Sequence, residues 1–123
     1  MSKADELRLP DFLDHMREAI ERVHAYVADL DEVAFLADGK TQDAVVRNFE
    51  ILGEAARNIE RYHHAFADAH PEVEWPAIVA LRNRVTHGYF TVDYGLLWKA
   101  IQSDLPDLYP TIKTLLVEAA ESR

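Results

Sequence analysis

Apolar residues recur along this chain at three- and four-residue steps, the spacing of one face of an α-helix. Pro10 suits a first helical turn, and Phe12, Met16, Ile20, Val23, Val27 and Leu30 form the first stripe behind it. The other faces carry Asp14, Arg17, Glu18, Glu21 and Arg22, the pattern of a solvated surface. Asp31–Asp38 is long enough for one extra turn, and Asp38-Gly39 then reads as a break. Thr41 is the expected N-cap of a second long helix. Its core face is Val45, Phe49, Leu52, Ala56, Ile59, His63 and Phe66. Trp75-Pro76 opens a shorter third helix with the stripe Ile78, Leu81 and Val85, ending at His87-Gly88. Tyr89-Phe90-Thr91 is a connector, and helical spacing resumes from Val92 to Leu116. Pro106 is predicted to kink or split this last helix. No repeat and no strand pattern is visible. The predicted fold is all-α, one domain over residues 1–123 built as an antiparallel bundle of four main helices.

Two details of the second helix carry further expectations. Gly53 in its interior costs roughly 1 kcal/mol relative to alanine, which the close approach of another helix would justify. Arg47, Glu50, Glu54, Arg57, Asn58 and Arg61 form a polar stripe of alternating sign. It reads either as a solvated, ion-paired face or as the polar wall of a cleft, with Arg47 and Asn48 near its start. His63, His64 and His70 do not have the spacing of a ligand set, so no metal is expected. His15 and His24 lie too far apart along the first helix to pair as ligands. His63 is expected to be partly buried, and His64 and His70 to lie on the surface.

Composition narrows the function classes. The 123 residues carry a net charge of −9 and no cysteine, which excludes disulfides and thiolate metal sites. Met1–Leu9 is polar and charged rather than an apolar leader, and no apolar run reaches the ~18 residues that would span a membrane. A cytoplasmic protein without membrane attachment is therefore expected. The negative charge argues against a non-specific nucleic-acid coat, but it is unevenly spread. Residues 1–38 hold 4 basic and 10 acidic side chains, whereas residues 39–90 hold 6 and 7. The middle of the chain is nearly neutral and contains five arginines, so a local anion-binding surface is possible there.

The densest chemistry lies in Arg82-Asn83-Arg84-Val85-Thr86-His87-Gly88-Tyr89. Arginine presents a planar fork of donors suited to phosphate, and histidine exchanges a proton near neutral pH. Residues five apart on a straight helix are rotated by roughly 140°. Arg82 and His87 can therefore converge only if the helix ends or tightens near Thr86. On spacing alone the plain reading is a surface arginine and a histidine that complements the helix dipole.

The run Thr41-Gln42-Asp43-Ala44-Val45-Val46-Arg47-Asn48-Phe49-Glu50-Ile51-Leu52-Gly53-Glu54-Ala55 resembles the second helix of HepT-like ribonuclease toxins of the HEPN superfamily. Trp75, Leu81-Arg82-Asn83 and His87-Gly88-Tyr89-Phe90 match that family's signature of an arginine, four residues, a histidine, one residue and a tyrosine. Asp104-Leu105-Pro106 matches the usual run in its last helix, and the resemblance extends from about Asp11 to Leu116. It implies a metal-independent endoribonuclease that needs no cofactor, the toxin of a toxin–antitoxin pair. Arg82 and His87 are then the catalytic pair, and Asn83 helps to shape the site. The implied partner is a minimal nucleotidyltransferase antitoxin that silences the toxin by AMPylation of Tyr89. The resemblance also implies a homodimer with the site at its interface. Arg47 and Asn48 are candidates for RNA contact, with Arg57 and Arg84 as possible extensions.

The chemistry is consistent with that resemblance. RNA carries its own nucleophile, the 2′-OH, so an enzyme need only remove its proton, stabilise the phosphorane and protonate the leaving oxygen. His87 can move a proton, and Arg82 can hold the phosphate. One histidine per chain leaves one proton transfer unfilled, and a two-fold dimer would supply it. The alternative is a non-catalytic helical module that binds a nucleotidyltransferase partner or a nucleotide, which the net acidity favours.

Overall fold

The computed structural model describes residues 8–85 and 91–121, with every side chain in those ranges except those of Arg82 and Val85. The described chain is all-α. Its helices are α1 (Leu9–Val27), α2 (Glu32–Leu36), α3 (Gly39–Tyr62), α4 (His64–Ala69), α5 (Trp75–Val85), α6 (Tyr94–Gln102) and α7 (Asp104–Glu121). The expected helix end at His87-Gly88 and the connector Tyr89-Phe90 lie outside the described residues.

Aspartate side chains cap the starts of three helices, α2, α3 and α6. The Asp31 carboxylate accepts from the Ala34 amide at 2.8 Å, and Asp93 accepts from the Leu96 amide at 3.0 Å. Asp38 accepts both the amide of Thr41 at 3.1 Å and its hydroxyl at 2.7 Å. Asp38, and not Thr41, is therefore the cap of α3, and the predicted break at Asp38-Gly39 is that helix's first residue. A carboxylate at this position satisfies one free amide and a hydroxyl together, and it carries negative charge at the positive end of the helix. The two Thr41 bonds hold the Asp38 carboxyl below its usual range.

The split predicted near Pro106 occurs at Ser103, between α6 and α7. Proline cannot donate to the carbonyl four residues back, so Pro106 removes the bond to Gln102 and α6 ends there. Pro106 then sits in the first turn of α7, where its missing N–H costs nothing. Pro110 lies deeper inside α7, and its carbonyl accepts the Thr114 hydroxyl at 3.1 Å. The second long helix also divides. It was expected to continue through Phe66, but it stops at Tyr62, and α4 follows after His63.

The core gathers the predicted stripes. Phe12, Met16, Ile20 and Val23 of α1 are buried with Val45, Phe49, Leu52, Ala56 and Ile59 of α3. Leu97 and Ile101 of α6 and Leu105, Ile112 and Leu115 of α7 complete it. α1 packs on α3 and α7, and α3 packs on α5. The buried Trp75 donates its indole N–H to the His70 carbonyl at 3.2 Å and so anchors the start of α5. His63 is half-buried as expected, with its ring edge-on to Phe12. His64 is exposed, but His70 is not the surface residue expected. Its side chain is 15% exposed, packs on Phe66 and meets Glu72 at 3.0 Å and Glu118 at 3.4 Å. His70 is turned inward by Phe66 and Glu72 nearby together with the distant Glu118, and helical spacing alone does not reveal that convergence.

Candidate functional site

The polar stripe of α3 is the floor of a cleft of about 520 Å³. α1 contributes His15 to it, and α5 contributes Val79 and Asn83. Gly53 makes this geometry possible. A Cβ there would sit 3.7 Å from the carbonyl oxygens of both Ile78 and Val79, so α5 runs close against the middle of α3. The close approach expected from the sequence is present, and it brings Asn83 beside the polar face.

The floor presents Arg47, Glu50, Glu54, Arg57 and Asn58. This supports the cleft-wall reading of the stripe. The outer face of α1 shows what a solvated, paired helix face looks like. Arg17 there bridges Asp14 and Glu21, each at 2.7 Å, and Arg22 pairs with Glu18. On α3, Arg47 reaches Glu50 only at 3.9 Å. Glu54, Arg57 and Asn58 make no side-chain hydrogen bond or ion pair among the described residues. Glu50 with Glu54, and Arg57 with Arg61, are like charges four residues apart, an arrangement that weakens a helix. Among the described residues the stripe thus leaves Glu54, Arg57 and Asn58 open to the cleft.

The structure sorts the sequence candidates. Arg47 lines the cleft and is exposed. Asn83 is exposed and lines it from α5. Asn48 does not line it. Asn48 is 4% exposed, with its amide nitrogen donating to the Ala44 carbonyl at 2.9 Å and its oxygen enclosed without a partner. One residue is about 100° of helix, enough to carry Asn48 from the polar stripe to the buried side. Arg57 lines the cleft, whereas Arg84 meets Asp104 at 3.5 Å, in a different groove. Arg82 belongs to α5, one turn beyond Val79, but its side chain lies outside the described residues, as do His87 and Tyr89 entirely. Sequence reasoning missed His15 as a member of the site. Glu54 and Asn58 were visible as part of the stripe, but nothing local in α1 points to His15.

Among the described residues, no group of three His, Asp or Glu side chains is arranged as a metal would need, and no helix is long and apolar enough to cross a membrane.

Comparison with known proteins agrees with the resemblance in the motifs. The ribonuclease HepT-like family matches residues 16–115. A protein named "Probable ribonuclease HepT" from Thermococcus cleftensis is 40% identical over 98 residues, 80% of this chain and 86% of that protein. A protein of Methanocaldococcus jannaschii whose name ascribes it RNase activity is 38% identical over 109 residues, 88% of this chain and 94% of its own length. Another such protein, from Caldanaerobacter subterraneus subsp. tengcongensis, is 30% identical over 105 residues, covering 85% and 91% of the two chains. No solved structure matches the chain. With a family match over most of its length and relatives of this similarity, the chain belongs to the HepT-like ribonuclease family.

Proposed function

We propose that this protein is a metal-independent endoribonuclease, the toxin of a toxin–antitoxin pair, acting in the cytoplasm as a homodimer. The observation that carries the reading is a juxtaposition. The Arg82–His87–Tyr89 run begins in the last turn of the helix whose Asn83 lines a cleft floored by Arg47 and Arg57. Family membership supports reading that run as the reacting groups.

In this reading, Arg47 and Arg57 attract the phosphate backbone locally, against the net charge of −9. Arg82 holds the scissile phosphate through its fork and stabilises the charge of the phosphorane. One His87 takes the 2′-OH proton, and the His87 of a second protomer protonates the leaving 5′-oxygen. The oxygen of the 2′-OH bonds to phosphorus as the bond to the 5′-oxygen breaks, leaving a 2′,3′-cyclic phosphate. A minimal nucleotidyltransferase antitoxin silences the enzyme by placing AMP on Tyr89, where a bulky anion two residues from His87 blocks and repels RNA.

The test is cleavage of end-labelled RNA by the purified protein in EDTA, beside His87→Ala and Arg82→Ala. Cleavage by the wild type alone, with cyclic-phosphate ends, is expected. General acid–base catalysis makes the His87 effect about 10²- to 10⁴-fold. Full activity in both variants, or a requirement for added metal, would overturn the reading.

A further inference from the structure

The α3 floor holds three groups whose polar atoms are not spent on neighbours among the described residues: Glu54, Arg57 and Asn58. Glu54 and Asn58 are four residues apart, so they stand side by side on one face of the helix, about 5–6 Å apart at Cβ. Together they present a carboxylate, which accepts two hydrogen bonds, beside an amide that can donate. The cleft's 520 Å³ falls within the roughly 300–1,000 Å³ usual for small-molecule sites. We propose that this cleft is a base-specificity pocket that takes a guanine of the RNA next to the cleaved bond, read by Glu54 and Asn58.

The assignment follows from base edges. On its Watson–Crick edge guanine offers two adjacent donors, N1–H and N2–H, followed by the O6 acceptor. The Glu54 carboxylate accepts the two donors, and the Asn58 amide donates to O6. Adenine and cytosine each offer only one donor group on that edge, and uracil offers a single N–H between two acceptors. None of these three can engage both oxygens of the carboxylate and the amide at once. Unstacked bases of single-stranded RNA are accessible on this edge, which is where sequence-specific RNA readers bind. Arg57, three residues from Glu54, is placed to meet the attached phosphate. Asn83, next to Arg82, connects the pocket to the reacting groups.

The inference rests on the ribonuclease reading, so two readouts separate them. In the first, full-length protein is titrated with GMP, AMP, CMP and UMP while the side-chain amide signals of Asn58 and Asn83 are followed by NMR. GMP is expected to bind at least about fivefold more tightly than the others, the low end of discrimination by one bidentate pair, and Glu54→Gln is expected to erase the difference. In the second, cleavage sites are mapped in a random-sequence RNA. Enrichment of guanine at one fixed position beside the cut is expected, and it should be lost in Glu54→Gln and Asn58→Ala while cleavage itself continues. Equal binding of the four nucleotides, tighter binding of AMP, or an unchanged cleavage pattern in Glu54→Gln would overturn the pocket. A GMP preference in a protein that cuts no RNA would retain the pocket and overturn the ribonuclease. Cleavage without base preference would do the reverse. Glu54 is exposed, so its replacement by glutamine leaves the fold intact, as circular dichroism would verify.

Discussion

Gly53 offers a direct measure of how closely α5 is pressed against α3. It is buried within the 24-residue α3. A methyl group there would meet the Ile78 and Val79 carbonyl oxygens at 3.7 Å, ordinary van der Waals contact rather than a clash. Glycine in a helix interior costs about 1 kcal/mol relative to alanine, and a newly buried methyl adds up to ~0.8 kcal/mol. Gly53→Ala is therefore expected to stabilise the protein by about 1 kcal/mol, raising Tm by roughly 3–5 °C. Gly53→Leu must instead push on the backbone of α5 and is expected to destabilise by about 1–3 kcal/mol. Urea denaturation followed by circular dichroism, at fixed protein concentration because a dimer's stability depends on it, reads both. RNA cleavage should survive the alanine and fall with the leucine. Destabilisation by alanine would refute the reasoning, because it would mean that the helix contact has no room for one methyl.

Other predictions address the core, the caps and the pH response. Leu13 is fully buried, and Leu13→Ala is expected to cost about 2–5 kcal/mol in a denaturation series. Asp38→Ala should lower Tm more than Thr41→Ala, since Asp38 accepts both bonds at the start of α3. The Glu21 carboxyl is held below its ordinary value, first by the Tyr109 hydroxyl and then by Arg17. The unfolded chain binds that proton more readily, so the contribution is present above pH 4.5 and is lost as pH falls through the lower folded value. The Tyr109 phenol is raised above 10.0 by the same bond, so its contribution is present below that value and lost as pH rises past it. Glu21→Gln should flatten stability at both ends, which melting curves across pH would show.

Much of the fold was legible because the burial stripes of α1, α3 and α7 repeat at helical spacing and no strand pattern competes. What the sequence missed depends on which of several neighbours wins a contact, some local and some distant along the chain. The α3 cap passed from Thr41 to Asp38 because a carboxylate upstream captured two Thr41 groups at once. His70 turned inward because Phe66, Glu72 and Glu118 converge on it from three places. The polar stripe of α3 was visible, but its two readings were separable only once α5 was seen to run beside it and leave Glu54 and Arg57 unpaired among the described residues. His15 joined the site because α1 packs on α3, and the residues around His15 do not record that packing.

The placement of α3 has a consequence for how this protein tolerates change. Its inner face holds Val45, Leu52 and Ile59 in the core, its flank meets α5 at Gly53, and its outer face is the cleft floor. Such a helix has almost no idle surface. α1, whose outer face carries mainly the exchangeable ion pairs of Arg17 and Arg22, has more. In a saturation scan, α1 should therefore show the periodic tolerance of an amphipathic helix, with every third or fourth position intolerant. α3 should be nearly continuous in its intolerance, failing in abundance at its inner positions and in RNA cleavage or base preference at its outer ones.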